Sequence, residues 1–408
     1  MQVISGALQA KFELQNSKPY RKFEYKTVDK TDHVKTWSPI SRRADKITSG
    51  NITLALQNVD KSWNDILDNP QNHFLATGEI KIGYTSVGEM TLFKGKLEVS
   101  DFSDRLTARL SFRDRISYFV KKRVGSSQIP ADYYSASSYT VFGDDDWSSG
   151  RNPAHLLWHL LTFWGGLDTE ESAANTDIDW DKFETYRILM DSQAYKIQAQ
   201  FKGETLESAL KLFNEITLST VFSEADGKIV CKFWLGQDTA DVQSYNNDKW
   251  KDLPTDKSER LKIINKYIVY YGFAPSTDTF AGSETRDDAT SVSDYGLFDK
   301  TFEGKKVWHY SSASAINVAE RLLADTKDPF EEVEFTSYLL AYRQQLWDAL
   351  KLTDTFYGWV DQGFRIENLN YNINKGEVKI FGRLTDLFSF LILDDTTFGV
   401  LDDYNVLA

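Results

Sequence analysis

Hydrophobic and polar residues alternate along several segments near the start of the chain. Alternation with a period of two predicts antiparallel strands that have one buried and one hydrated face. The apolar positions of these segments are Ile52, Leu54 and Leu56, then Ile80, Ile82 and Tyr84, then Leu106, Ala108, Leu110 and Phe112. The segment 92–100 lies between the last two sets. Residues 49–119 therefore predict a strand, a loop and three further strands.

The middle of the chain changes to helical spacing. The Asn-Pro pair at 152–153 predicts a helix start, because Asn is a favourable N-cap and Pro suits the first helical turn. The Gly-Gly pair at 165–166 predicts its end. A second helix is predicted from Thr205, and the Asp-Gly pair at 226–227 predicts a tight hairpin after it.

The later part of the chain predicts one more helix and a return to strands. Ser312 or Ser314 is expected to cap the third helix, and strands are predicted at 333–340, 364–373 and 377–384.

Two polar stretches predict loops. Residues 124–150 combine aromatic and acidic side chains without a clear period, and residues 275–299 are rich in Ser, Thr, Asp and Gly. We expect both stretches to lie outside any core, and the second to be a poorly ordered insertion.

Length and composition allow two or three cores of ordinary size, because the chain has 408 residues and is 41% hydrophobic. Cys231 is the only cysteine, which excludes an intrachain disulfide and cysteine-based metal sites. Residues 1–14 lack the basic start and apolar stretch of a signal peptide. The longest apolar stretches, at 155–167 and 387–393, fall short of the ~20 residues that a membrane span needs. We therefore expect no membrane segment and assembly in a reducing cytoplasm.

The formal net charge of −13 argues against a protein that grips nucleic acid, because phosphate binding depends on Lys and Arg. A channel lined by acidic residues, through which DNA slides, is still compatible with this charge. Like charges remove the non-specific attraction between the protein and the DNA phosphates.

Three sets of residues are candidates for metal sites, and each has a simpler interpretation. His155 and His159 have the spacing of a helical metal-binding pair, but Leu156 stands where a zinc protease needs Glu, so packing is the favoured role. Asp177, Asp179 and Asp181 resemble the start of a calcium loop, but Lys182 and Ile188 occupy the positions of its Gly and Glu. The acidic run 144–146 is interpreted as a hydrated turn. We therefore predict no metal site and no cofactor.

No enzyme template fits the chain. It has no nucleophile elbow, no phosphate-binding Gly-rich loop with Lys, and no dinucleotide fingerprint after a strand, so no catalytic residue is predicted. The aromatic residues Tyr133, Tyr134, Tyr139 and Trp147 could stack on sugars, although a subunit interface or a core is the favoured interpretation.

Short motifs along the chain resemble those of one protein family. The segments NITLALQNVD at 51–60, LFKGKL at 92–97 and RLSFRDRI at 109–116 look like the first domain of baseplate hub and tail-tip hub proteins of tailed bacteriophages and related injection machines. Later segments are similar to later parts of the same proteins, namely 178–183, the helix at 205, 319–323, 364–369 and 393–402. Each motif is short, and their order gives the resemblance its specificity.

The resemblance implies an α+β, β-rich fold with two small tube-like β-barrel domains. The expected domains are a first barrel at 1–125, a mixed α/β middle region at 126–258, a second barrel at 259–385 that can include strands from 195–236, and a C-terminal docking segment at 386–408.

The resemblance also implies a non-enzymatic structural hub. Three chains would present six barrels as a pseudo-hexameric ring that joins the tail tube or distal tail protein to a tip, spike or fibre protein, with DNA passing through only in transit. The protein would be located in the virion, at the tail tip or baseplate, after assembly in the host cytoplasm. A carbohydrate-binding or carbohydrate-degrading tail protein that acts on the host envelope is the alternative.

The C-terminus is acidic and strongly apolar at once. From residue 385 it carries five Asp and no Lys or Arg, and it is too hydrophobic to stay a hydrated tail. We expect it to dock on a neighbouring chain or on the next component, through the interface residues Leu387, Phe390, Leu393, Phe398 and Leu401.

Overall fold

Strands dominate both ends of the chain, and helices are concentrated between them. The computed structural model describes the ranges 4–13, 19–43, 50–73, 76–104, 106–124, 134–136, 139–142, 151–201, 203–233, 243–246, 248–258, 262–329 and 331–384.

The first block carries eight strands and three short helices. In chain order they are α1 (Gly6–Glu13), β1 (Tyr20–Tyr25), β2 (Val28–Asp29), β3 (Val34–Trp37), β4 (Ile40–Arg43), β5 (Asn51–Gln57), α2 (Asp65–Asp68), α3 (Pro70–His73), β6 (Thr77–Tyr84), β7 (Gly88–Asp104) and β8 (Thr107–Arg113). The predicted strands of this block are confirmed as β5, β6, β7 and β8.

The middle of the chain mixes helices with short strands. Its elements are β9 (Tyr134–Ala136), β10 (Tyr139–Phe142), α4 (Pro153–His159) continued by a π-helix (Leu160–Trp164), α5 (Trp180–Ser192), β11 (Ile197–Gln200), α6 (Leu206–Thr217), β12 (Ser219–Ser223) and β13 (Ile229–Phe233).

The remaining elements return to strands. They are β14 (Gln243–Tyr245), β15 (Trp250–Ser258), β16 (Lys266–Ala274), β17 (Thr279–Asp287), α7 (Ala289–Tyr295), β18 (Asp299–Phe302), β19 (Val307–His309), α8 (Ser312–Thr326), β20 (Glu331–Ser337), β21 (Ala349–Asp354), β22 (Trp359–Asn372) and β23 (Glu377–Leu384).

The predicted helix starts rest on observed caps. The Asn152 side chain accepts from the Ala154 N–H at 2.8 Å, and the Thr205 hydroxyl accepts from the Ser208 N–H at 3.3 Å. Both starts and the hairpin of β12 and β13 are confirmed. The cap of α8 is Ser311, which accepts from the Ser314 N–H, so the expectation of Ser312 or Ser314 is wrong by one or three residues.

Two loop predictions need correction. Residues 275–299 contain β17 and α7, and β17 pairs with β16 from Lys266–Asp287 to Ala274–Thr279. The sequence hides this strand because β17 is an edge strand whose residues are exposed or half-buried, so it lacks an apolar period. Residues 124–150 contain the short strands β9 and β10, and the rest of that stretch from residue 125 onward lies outside the described residues.

One large sheet joins the two end blocks. Its order is β15-β20-β23-β22-β4-β5-β8-β7-β6-β1-β2. Outside this order, β3 pairs with β5, β21 pairs with β22, and β14 pairs with β21. The connection is antiparallel pairing of β22 with β4, from Asn368–Arg43 to Tyr371–Ile40. The first half of β22 pairs with β21, along the same edge of β22 that β4 uses farther on. A single hydrophobic core accordingly contains buried residues of both blocks, such as Leu54 and Phe335.

The fold is α+β and β-rich, as expected, but the two barrels need correction. Within the described ranges no sheet closes on itself. The physical reason is that β4 pairs with β5 on one side and with β22 of the other block on its other side, which continues the sheet into that block. A second sheet pairs β11 with β19 and so contains strands from both sides of residue 258. The domain limits themselves remain predictions.

The helical middle packs around its own core. Helices α4, α5 and α6 surround buried residues such as Leu157, Phe183 and Phe213. None of the helices in the described part of the chain is long and apolar enough to span a membrane.

Arg42 connects three parts of the chain from the core side of β4. Its side chain is 2% exposed. The guanidinium donates to the Gln345 Oε1 at 2.9 Å, to the Ser223 carbonyl at 3.1 Å and to the Leu92 carbonyl at 3.3 Å. These acceptors belong to the last block, the middle hairpin and the first block respectively. Arg42 therefore stabilises the arrangement of all three.

Ion pairs connect β13 and α8 to residues of the last block, at Asp348 and on β22 and β23. Lys232 on β13 lies 2.8 Å from the buried Asp348 carboxylate. Asp325 at the end of α8 contacts Arg365 and Arg383 on β22 and β23. Burial alone would raise the pKa of Asp325, but the two guanidinium groups outweigh it and lower the pKa.

His309 on β19 is a buried titratable group. It is 1% exposed, its Nδ1 lies 2.9 Å from the Ser314 hydroxyl, and burial lowers its pKa to about 4. The folded chain therefore holds this imidazole neutral in mildly acidic solution.

Replacing Arg42 with Met should lower the free energy of unfolding by about 3 kcal/mol or more, because buried acceptors lose hydrogen bonds from a charged donor. Urea denaturation measures this change. Arg43→Met is the matched control on the exposed face of the same strand and should cost less than about 1 kcal/mol. Equal losses for both variants would contradict the connecting role of Arg42.

Acid should destabilise the wild-type chain more than a His309→Gln variant. Below pH 6.5 the unfolded chain protonates this histidine while the folded chain does not, so stability is present above pH 6.5 and falls toward pH 4. Between pH 6.5 and 5 the wild type should lose about 2 kcal/mol more than the variant. Urea denaturation at both pH values tests this, and an unchanged difference between the two proteins would contradict it.

Candidate assembly surface

The histidine pair lies on one helix but does not gather further ligands. His155 is exposed and His159 is half-buried on α4. Among the described residues no three His, Cys, Asp or Glu side chains lie close enough to hold a metal ion.

The three aspartates of the calcium-like motif lie at or just before the start of α5. Asp177 accepts from the Asp168 N–H at 2.9 Å and pairs with Arg115. Asp179 caps the helix by accepting from the Lys182 N–H at 3.3 Å. Asp181 stands in the first turn, where a negative charge interacts favourably with the helix dipole. The carboxylates of Asp177 and Asp179 are thus engaged in local contacts.

Several predicted positions fall outside the described residues. These are Tyr133, Asp144, Asp145, Asp146, Trp147 and the interface residues Leu387, Phe390, Leu393, Phe398 and Leu401. Tyr134 and Tyr139 are described by their backbone, in β9 and β10.

The turn between β21 and β22 and the first two residues of β22 carry the two most exposed large apolar side chains of the described residues. We call Phe356, Tyr357, Trp359 and Val360 the hairpin tip. Phe356 is 83% exposed and Val360 is 81% exposed. Monomeric surfaces rarely keep such groups together without an interaction partner. The hairpin tip is therefore a candidate assembly surface.

Local contacts hold the hairpin tip in one conformation. The buried Asp354 carboxylate accepts from the Phe356 N–H at 2.8 Å and from the Tyr357 N–H at 3.1 Å. The rings of Tyr357 and Trp359 stack with centroids 4.4 Å apart. Gly358 between them has a φ of +70°, a conformation that favours glycine. Preorganisation of this kind lowers the entropy cost of binding.

Sequence reasoning missed the hairpin tip, although a signal exists. The segment Phe-Tyr-Gly-Trp-Val at 356–360 places four large apolar residues around a glycine, between the polar residues 353–355 and 361–362. A turn of this composition is unusual, because turns are normally dominated by Gly, Pro, Asn, Asp and Ser.

A second exposed apolar patch lies at the end of α7 and just after it. It consists of Tyr295, Leu297 and Phe298, which are 38%, 56% and 45% exposed. The buried Asn265 fixes this loop by donating to the Gly296 carbonyl at 2.7 Å and accepting from the Phe298 N–H at 2.8 Å. The molecule therefore presents more than one surface on which another chain could pack.

No protein-family model and no curated protein matches this sequence. Solved structures do match its fold. The 43 kDa tail protein of a Shewanella oneidensis prophage has a TM-score of 0.53 and 10% identity, covering 91% of this chain and 99% of the other. A tail protein from Neisseria meningitidis has a TM-score of 0.53 and 11% identity, with coverage of 90% and 96%.

A prophage tail protein from Listeria monocytogenes has a TM-score of 0.50 and 11% identity, with coverage of 90% and 95%. These matches extend over nearly the whole length of both chains, so they include the end blocks and the middle region together. This chain therefore has the fold of these phage tail proteins.

Proposed function

We propose that this chain is a structural subunit of a phage tail and forms the hub of the tail tip or baseplate. The observation that carries the proposal is the shared fold, which extends over about 90% of this chain and nearly all of each tail protein. The order of hub-like motifs along the sequence supports the same role.

The proposed hub is a homotrimer. Each chain contributes two strand-rich blocks that are joined in one sheet, so three chains would place six strand-rich blocks around one axis. Such a ring meets a sixfold tail tube or a distal tail protein on one side, and it offers true threefold symmetry to a tip, spike or fibre protein on the other. Exposed apolar groups at the hairpin tip and after α7 supply surfaces for these contacts.

DNA would pass through this ring without binding it. The net charge of −13 supports passage, because an acidic surface does not attract phosphate. The subunit would therefore be located in the virion, at the tail tip or baseplate, after assembly in the host cytoplasm.

The proposed role is structural and non-enzymatic. It is supported by Asp177 and Asp179, which are engaged in local hydrogen bonds and ion pairs, and by the lone Cys231, which is buried with its pKa raised by that burial. These side chains therefore have structural roles in the folded chain.

The purified chain should assemble into a particle of about 140 kDa, which is three times the chain mass of 46.8 kDa. Mass photometry measures the mass, and electron-microscopy class averages should show threefold symmetry. A stable hexamer of chains, or a monomer at every concentration, would contradict the trimeric hub. If the same preparation released sugars from host envelope polysaccharide, the carbohydrate-degrading alternative would replace it.

The C-terminal segment 386–408 is proposed to dock on a neighbouring chain or on the next component. Its apolar residues Leu387, Phe390, Leu393, Phe398 and Leu401 would be buried there, while its aspartates stay hydrated at the rim.

Removing residues 387–408 should weaken assembly while the rest of the chain stays folded. The physical reason is that burying one large apolar side chain contributes about 1.5–3 kcal/mol, so several of them decide a weak interface. Assembly is measured by mass photometry and folding by circular dichroism, with a full-length chain carrying Val59→Ser, at an exposed loop position, as the control. Normal assembly of the shortened chain would contradict the docking role.

A further inference from the structure

One buried arginine lacks the partners that the other buried arginines have. Within the described ranges four arginines are almost fully buried, namely Arg42, Arg343, Arg365 and Arg383. Arg42 donates to three oxygens, and Arg365 and Arg383 form ion pairs with Asp325. Arg343 is 6% exposed, and it forms neither a hydrogen bond nor an ion pair with any residue that the structure describes. Because a buried charge without a partner is costly, this side chain requires an explanation.

The charged edge of Arg343 is the part that remains accessible. Nε is the only nitrogen of this guanidinium that is both fully enclosed and without a hydrogen-bond partner. Nη1 and Nη2, which also lack partners in the described chain, therefore reach the surface. Two Nη groups side by side are the donors that bind both oxygens of a carboxylate.

Neighbouring contacts hold the backbone around Arg343 in place. Arg343 ends the 3₁₀-helix that lies before β21. The Tyr342 hydroxyl donates to the Asn372 carbonyl at 3.1 Å, and the Tyr371 hydroxyl donates to the Gln344 carbonyl at 2.6 Å. A donor held in this way binds a ligand with a smaller loss of conformational entropy.

The carboxylates nearest in effect are engaged elsewhere. Glu13 and Asp348 attract Arg343 electrostatically, but neither forms an ion pair with it. Asp348 pairs with Lys232 at 2.8 Å, and Glu13 accepts from the Gln9 side chain at 3.1 Å. These two negative charges would repel a doubly charged phosphate more than a singly charged carboxylate. The charge around Arg343 therefore favours a carboxylate as its ligand.

We propose that Arg343 binds, through its Nη edge, a carboxylate side chain of another protein chain in the assembled tail. The proposal rests on the structural role in a tail proposed above. We expect the carboxylate to come from a second copy, because the proposed hub is a trimer and each chain carries 60 Asp and Glu against 47 Lys and Arg. Arg343 then destabilises the free subunit and stabilises the assembled one, since its charge is paired only in the assembly.

Replacing Arg343 with Met removes the charge and keeps a long side chain. In mass photometry over a dilution series, the concentration at which half of the chains are assembled should rise at least tenfold, because the partner carboxylate loses its charged donor. The substitution should not destabilise the dissociated chain, because no internal partner is lost. In urea denaturation its midpoint should equal or exceed that of the wild type.

Arg365→Met is the matched control for this stability measurement. Arg365 is also 6% exposed, but it pairs with Asp325 and Glu367, so its loss should lower the urea midpoint. If Arg343→Met lowered the midpoint as much as Arg365→Met, Arg343 would be an internal structural arginine and the proposal would fail.

Sodium acetate tests the site without relying on self-assembly. At equal ionic strength, acetate should raise the thermal midpoint of the dissociated wild type above its value in chloride, and Arg343→Met should show no such difference. An acetate effect with unchanged self-assembly would support the site and assign its carboxylate to a different tail component. The absence of both effects would overturn the proposal. A wild type that is monomeric at every concentration would contradict the trimeric hub, while the acetate comparison would still decide whether Arg343 binds a carboxylate.

Discussion

The pairing of β4 with β22 is the interaction on which the rest of the structure depends. It brings together residues that are more than 300 positions apart, such as Ser41 and Asn370, and turns two strand-rich blocks into one sheet. Ile40 and Leu369 on these strands are buried in the common core. Without this pairing β4 and the second half of β22 would each expose an unpaired strand edge, which proteins normally cover.

Buried polar contacts fix how the other regions sit on that sheet. Arg42 reaches from β4 to all three parts of the chain, Lys232 pairs with Asp348, and Asp325 pairs with two arginines. Charged groups in these positions are costly to leave without partners, so a misplaced middle region would be destabilised. The surfaces proposed for assembly, including the hairpin tip, are positioned by this framework.

Local features of the fold could be predicted from the sequence. Strands β5 to β8 follow the alternation of apolar residues, and α4 and α6 begin at the Asn152 and Thr205 caps. These predictions succeed because alternation and capping depend on neighbouring residues. β17 was missed because its polar edge carries no apolar period.

Long-range features could not be predicted in the same way. The pairing of β4 with β22 depends on contacts between distant segments. The large open sheet, found where two separate barrels were expected, depends on the same pairing. The hairpin tip was missed because its aromatic residues lie in and beside a turn. The sequence there has no periodic pattern that would predict which side chains are exposed. The family resemblance pointed to phage tail proteins, and solved tail proteins share the fold of this chain, while the sequence itself contained no catalytic pattern.

Hydrogen exchange of the backbone amides at the β4–β22 junction tests the central claim most directly. The account predicts that amides of Ser41–Arg43 and of Asn368–Tyr371 that face the junction exchange as slowly as those of β8 in the centre of the sheet. Exchange at these positions as fast as in the edge strand β17 would show that the two blocks are not joined in one sheet.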